Sequence, residues 1–264
     1  MFDLKKKTII LTGAAGRLGS QYSHTLSAAG ADVILVDVDD DKNKKLENTL
    51  TKKYHTKPMS FNIDITKRQD VKELKNAILD AYGKIDVLVN NAHFVPREHA
   101  QRDAPFELYP LDLWNKTIAT NLTGLLLLCQ EVGKVMIKQK RGVIVNISSI
   151  YGMVGPDQRI YGKSRLNSPI SYAATKGAIV NLTRYLAAYW HRKNIRVNTL
   201  TLGGVFDPEL HTDKKFLEKY SEKTMLGRMA RNDEYNGALL FLVSDASSYM
   251  TGANLVVDGG WTAW

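Results

Sequence analysis

Six short runs of aliphatic and β-branched residues recur along the chain, each separated from the next by a longer polar or periodic segment. They are TIILTG at 8–13, DVILVD at 32–37, KIDVLVNN at 84–91, GVIVNIS at 142–148, IRVNTLT at 195–201 and NLVVDGG at 254–260. Helical periodicity fills much of the space between them, over 18–29, 68–81, 111–138, 172–191 and 233–242. Strands that are apolar almost throughout are covered on both faces, and strands alternating with helices build a mainly parallel sheet. The expected fold is therefore α/β: a single doubly wound domain spanning residues 1–264 with helices on both faces of a mainly parallel sheet. No internal repeat or linker rich in Gly, Ser and Pro interrupts it.

Composition removes several alternatives. The chain has 264 residues, enough for a full core, and 44% hydrophobic with 24% charged residues is globular rather than disordered. Its lone cysteine, Cys129, lies in the apolar run LLLLC and excludes an intramolecular disulfide. The first residues, MFDLKKKTIILTG, carry too short an apolar run for a signal peptide, and no stretch suits a membrane span. A cytoplasmic location is expected. A net charge of +9 invites nucleic acid, but the lysines are scattered and no aromatic residues interleave with a basic stripe. Neither nucleic acid nor membrane is expected as a partner, and no metal site is expected.

Ligands of such sheets bind beyond the carboxyl ends of the strands, so those ends carry the functional residues. After the first strand, Gly13, Gly16 and Gly19 form a turn that lets backbone approach a pyrophosphate, whose charge the next helix N-terminus favours. The second strand ends in Asp37, eighteen residues after Gly19. A carboxylate there accepts the hydroxyls of an adenosine ribose and repels a 2′-phosphate, so NAD is expected and NADP disfavoured. Arg17 is an opposing hint, able either to reach a 2′-phosphate or to face solvent.

The chain resembles the compact, single-domain branch of the short-chain dehydrogenase/reductase family. The matching motifs run collinearly: TGAAGRLG at 12–19, Asp37, NID at 62–64, NNA at 90–92, NLTG at 121–124, NISS at 146–149, YAATK at 172–176 and TGANLVVDGG at 251–260. The resemblance implies a Rossmann fold, a nicotinamide cofactor, an alcohol–ketone oxidoreductase reaction and a catalytic group of Asn121, Ser149, Tyr172 and Lys176. It also implies cofactor contacts at Leu18, Asp64, Ile65, Asn91, Ala92, Gly203 and Val205, besides Tyr172, Lys176 and the turn residues Gly13, Gly16, Arg17 and Gly19.

The chemistry is consistent with those roles. A phenol of ordinary pKa ~10 is a poor base at neutral pH, and a lysine four residues on shares its helix face and favours phenolate. Ser149 can donate to the reacting oxygen, and Asn121 can hold a water leading from Lys176 to solvent. A second pair, Tyr161 and Arg165, has the same spacing. It lacks a helix start and is followed by Gly162, whereas Ser168 as a cap and Pro169 in the first turn precede Tyr172. Arg165 also stays protonated at any working pH. Tyr172 is the expected catalyst.

Departures from the family pattern fall around the cleft. The middle glycine stands at Gly16 rather than at Arg17's position, a spacing common in the extended, epimerase-like branch. NNAG has become NNAH, placing His93 beside the nicotinamide end, and the usual PG after the sixth strand reads Leu202-Gly203. Ser149 and Tyr172 lie 23 residues apart, so 156–169 reads as a substrate-side insertion, with Asp157, Gln158, Arg159, Tyr161, Lys163, Arg165 and Asn167 on it. Residues 205–228 occupy the place of a substrate-covering lid and are charged enough for an exposed, mobile helix pair. With Arg97, Arg102, Asp207 and His211, these segments argue for a polar substrate of sugar or sugar-phosphate type. His93, Arg159 and Tyr161 are the candidate substrate contacts.

The insertion and the SYAATKGAIVNLTRYLAAY segment also resemble reductases of bacterial surface-glycan and flagellin-modification pathways. Two other activities share these residues: an epimerase or dehydratase with held NAD, and a dinucleotide-sensing protein without turnover. A homotetramer or homodimer is implied by the resemblance, with Trp261 and Trp264 as candidate interface anchors.

Overall fold

The computed structural model describes residues 1–95, 99, 101–162 and 167–264. Seven strands form one parallel sheet: β1 (Thr8–Thr12), β2 (Asp32–Asp37), β3 (Met59–Asn62), β4 (Val87–Asn90), β5 (Gly142–Ser149), β6 (Ile195–Leu202) and β7 (Asn254–Val257). Their order is β3-β2-β1-β4-β5-β6-β7, and every pairing is parallel. The order reverses between β1 and β4, so the loops after these two strands diverge to opposite sides and leave a crevice. The doubly wound α/β fold is as expected.

Two apolar layers sandwich the sheet. On one face Ile10, Leu88 and Ile144 meet α3 (Arg68–Tyr82), α5 (Leu125–Gln139) and α6 (Ile170–Tyr189). On the other, Leu11, Val89 and Leu200 meet α1 (Arg17–Ala28), α2 (Asp40–Tyr54) and α8 (Asn236–Val243). Cys129 belongs to the first layer, where burial pushes its thiol up to about 12 and keeps it un-ionised. No helix among the described residues is long and apolar enough to cross a membrane.

Two elements lie where no helix or strand is expected from pattern. The helix α2 buries only Asn43, Leu46 and Leu50, a stripe too narrow to produce a clear period. Asp39 caps it by accepting the Lys42 amide, with acids in its first turn and lysines in its last. Asn43 donates to the carbonyls of Leu35 and Phe61 and so ties α2 to the edge strand β3.

The long helix expected over 111–138 is divided. α4 (Leu111–Ile118) passes into a π-helical stretch, Ala119–Gly124, before α5 begins. Asn121 sits in that wider turn. The segment read as a helix pair holds one helix, α7 (Lys214–Glu222), among its described elements. Its Phe216 and Tyr220 are packed against Trp261, so the segment is anchored by an aromatic cluster. Trp261 is thereby core, correcting its reading as an interface anchor; Trp264 remains exposed.

Candidate active site

The carboxyl ends of β1, β2, β4, β5 and β6 open onto one cavity of about 750 Å³. At one end lies the glycine turn. Gly13 has φ +66°, and a side chain there would meet the backbone of Ala92 at 2.9 Å. A side chain at Gly19 would lie 2.0 Å from the Gly13 carbonyl oxygen. Both positions therefore require glycine, and the bare backbone they expose faces the cavity. Thr12 fixes the turn against β4, its Oγ1 accepting the amides of Asn91 and Ala92 at 3.0 Å. Asn91 returns its side-chain amide to the Thr12 carbonyl at 2.9 Å.

Asp37 stands beside this turn, accepting the Ala15 amide at 2.9 Å and the Asp39 amide at 3.1 Å. Two carboxylate oxygens, each holding one amide, retain lone pairs for ribose hydroxyls. Asp64 and Ile65 form the floor after β3. Burial alone would raise the Asp64 carboxyl, but bonds from the Thr66 hydroxyl and amide hold it below the usual range. A cradle closed to side chains, a helix N-terminus and a carboxylate at the tip of β2 fit a dinucleotide. Gly16, Leu18, Gly203 and Val205 also line the cavity.

Arg17 is exposed, yet its guanidinium is engaged by the protein. It forms an ion pair with buried Asp207 and donates to the Phe206 carbonyl at 3.3 Å. The guanidinium thus bridges the glycine turn to the segment after β6. Asp207 uses its own amide to donate to His211 Nδ1 at 2.9 Å.

The opposite end of the cavity holds Ser149, Tyr172 and Lys176. Ser149 ends β5, and its side chain is hydrogen-bonded to the Tyr172 phenol. Tyr172 and Lys176 share a face of α6, with Nζ 5.6 Å from the phenol ring centroid. Lys176 donates to the Ile147 carbonyl at 2.9 Å. Burial pushes the Lys176 ammonium down to about 8 and raises the Tyr172 phenol, against which the Ser149 bond works. The acidified phenol expected from the Tyr–Lys spacing is thus not a property of the protein alone, in which burial raises it.

Asn121 does not line the cavity. Its Oδ1 accepts the Phe94 amide at 2.7 Å and its Nδ2 donates to Thr175 Oγ1 at 3.2 Å. The side chain joins the loop after β4 to α6, one residue before Lys176.

Pro169, not Ser168, occupies the cap position of α6, and its carbonyl accepts the Tyr172 and Ala173 amides. The Ser168 side chain is instead hydrogen-bonded to the Tyr161 phenol.

Among the candidate substrate contacts, His93 lies edge-on to Tyr172 with ring centroids 6.4 Å apart. Tyr161 stays behind the cavity wall, stacked on Phe216 at 5.6 Å. Arg159 does not line the cavity; its side chain is 85% exposed and ion-paired with Asp157. Arg97, Lys163 and Arg165 lie outside the described residues.

Two tyrosines absent from the expected set line the cavity, Tyr151 and Tyr220. Tyr151 stands two residues past Ser149 at a strand end, a signal the sequence does offer. Tyr220 arrives from α7 and carries no such mark.

A fold of seven parallel strands with a glycine turn, a β2 carboxylate and a Ser-Tyr-Lys cluster defines a dinucleotide-linked oxidoreductase class. A family model described as enoyl-(acyl carrier protein) reductase matches residues 13–262. An NAD-dependent glycerol dehydrogenase of Listeria innocua serovar 6a is 32% identical over 264 residues, covering 99% of this chain and 96% of its own. The post-translational flagellin modification protein A of Campylobacter coli is 31% identical, over 98% of this chain and 99% of its own. Among solved structures, a gluconate 5-dehydrogenase from Burkholderia cenocepacia J2315, in complex with NADP and tartrate, superposes with a TM-score of 0.88. It is 29% identical and covers 100% of this chain and 98% of its own. The chain belongs to the short-chain dehydrogenase/reductase family.

Proposed function

We propose that this protein is an NAD(H)-dependent oxidoreductase interconverting a secondary alcohol and a ketone, with Tyr172 as general acid/base. The observation that carries the reading is the placement of Ser149, Tyr172 and Lys176 in the same cavity as the glycine turn and Asp37. When bound, the nicotinamide supplies or accepts hydride at C4. Ser149 donates to the reacting oxygen, and Tyr172 gives its proton to a developing alkoxide or takes one from an alcohol. A phenol held protonated by burial suits the giving direction; the taking direction requires positive charge near it. Lys176 uses one N–H on Ile147, leaving two of its three donors for ribose hydroxyls. Asn121 fixes the helix turn beside Thr175 and so holds Lys176 in place.

NAD is the proposed cofactor, since Asp37 repels a 2′-phosphate and Arg17 is committed to Asp207. The relatives are divided: the glycerol dehydrogenase is named NAD-dependent, and the gluconate 5-dehydrogenase structure holds NADP. Their named substrates are polyhydroxylated, which together with the phenols and histidine at the cavity supports a sugar, polyol or sugar-phosphate substrate here. The reading includes a cytoplasmic homotetramer or homodimer, with residues 205–228 as a lid over the substrate end.

The test measures reduced-nicotinamide absorbance with a panel of polyols, keto-sugars and sugar phosphates. Tyr172→Phe is expected to lower turnover by roughly 10²–10⁴-fold while the folded variant still binds NADH. NADH should bind at least about tenfold more tightly than NADPH. Undiminished turnover by the variant overturns the role of Tyr172, and an NADPH preference overturns that of Asp37. Conversion without net change in absorbance marks an epimerase or dehydratase instead.

A further inference from the structure

Four tyrosines converge near the reacting end of the cavity, and only one of them is used by the chemistry above. Tyr151 follows β5 directly in a short 3₁₀ turn, and its amide donates to Ser149 Oγ at 3.3 Å. Backbone geometry therefore fixes Tyr151 to the serine that would hold the reacting oxygen. Tyr151 lines the cavity, and among the described residues its hydroxyl meets the Tyr161 hydroxyl alone, at 3.4 Å. An O–H···O bond ordinarily spans about 2.7–2.8 Å, so this contact leaves most of the hydroxyl's capacity unspent.

Tyr220 approaches from α7. Its oxygen accepts the Gly204 amide at 2.6 Å, and no acceptor among the described residues takes its proton. Burial raises the pKa of both phenols, with Tyr172 close enough to each to add to the effect. Both remain neutral donors across the physiological range.

Burying a hydroxyl without a good partner costs free energy, and such groups in native structures await a ligand or a water. Tyr161 supports this geometry from behind: stacked on Phe216 and hydrogen-bonded to Ser168, it presents its oxygen to Tyr151 and limits the swing of that ring.

We propose that Tyr151 is a specificity-determining residue that hydrogen-bonds a second hydroxyl of the substrate, on carbon adjacent to the reacting one, with Tyr161 as its positioning residue. The inference rests on the oxidoreductase reading and narrows its substrate class to vicinal diols and α-hydroxyketones. A site built to bond a hydroxyl discriminates strongly against the analogue lacking it, because the buried phenol is then left without its partner. A plain secondary alcohol places a methylene against Tyr151 and loses that bond.

The experiment compares butane-2,3-diol with butan-2-ol, and acetoin with butan-2-one, on wild type, Tyr151→Phe and Tyr161→Phe. Thermal unfolding of each variant is measured alongside. The wild type is expected to prefer the hydroxylated member of each pair. Tyr151→Phe should lower kcat/KM for that member by roughly tenfold or more, mostly through KM, and leave the plain member within about twofold. Tyr161→Phe should move the same ratio in the same direction by less. Equal losses on both members of a pair, or an unchanged ratio, overturn the assignment while leaving the oxidoreductase reading intact. Absence of turnover by wild type on every polyol and ketone overturns both.

Discussion

At Lys176 burial and chemistry pull against each other. The ammonium lies in the closed end of the cavity, bonded to the Ile147 carbonyl, and burial pushes its pKa from 10.5 to about 8. Between those values the unfolded chain binds more protons than the folded one, so the contribution to stability rises with pH across that window. Below pH 8 both states carry the charge, and the folded state bears its full desolvation penalty, on the order of 3 kcal/mol. Lys176→Met should abolish turnover yet melt above wild type at pH 7, with the difference closing by about pH 10.5. Melting curves taken every half pH unit test this, and a difference independent of pH would contradict it. Tyr172 on the same helix face shows the complementary case. Its phenol rises on burial, so its function as a base depends on what else occupies the cleft.

Among the elements, α2 and β3 are tied by the Asn43 side-chain amide and by Glu47, which accepts the Ser60 amide and hydroxyl. Asn43 bonds two carbonyls of neighbouring strands from a position where a helix of this kind ordinarily buries an aliphatic residue. Asn43→Ala leaves both carbonyls without this donor and is expected to cost about 1–3 kcal/mol. Faster amide exchange at Ser60 to Ile63, with β5 and β6 unaltered, would locate the loss at that edge. The same amide explains why these elements were hard to read from pattern. α2 shows two buried leucines in fifteen residues, and β3 is a half-buried edge of four. By contrast β1, β2, β4, β5 and β6 are apolar almost end to end, and Gly13, Asp37, Ser149 and Tyr172 mark their tips or the helix beside them. Site residues at strand ends were therefore legible, including their order along the cleft. Contacts made across the cleft were not, because Arg17 with Asp207 and Tyr151 with Tyr161 depend on how distant loops fold back. Arg159 shows the converse: a cation near the site in sequence, neutralised locally by Asp157 and directed outward.

Across the whole molecule the two ends of the cavity are mechanically joined. Tyr161 stacks on Phe216, Phe216 on His211, His211 accepts the Asp207 amide, and Asp207 pairs with Arg17 at the glycine turn. Lys219 of α7 and Lys223 just after it add bonds to Arg159 and Asp157. Asp207→Asn removes the charge that holds Arg17. Its expected effect is faster amide exchange over residues 206–213, with the central strands unaffected. Unchanged exchange there would mean that the ion pair does not restrain the segment.

Because all seven strands point the same way, the working loops gather on one rim of the sheet, and the opposite rim is left to plain structural tasks. There Asp86 accepts the Thr8 amide and pairs with Lys84 and Arg141. A dye or a tether to a solid support attached along that far rim would ride on the rigid sheet yet stand clear of reactants. Molecules immobilised that way would all present their reactive mouth to the bulk liquid.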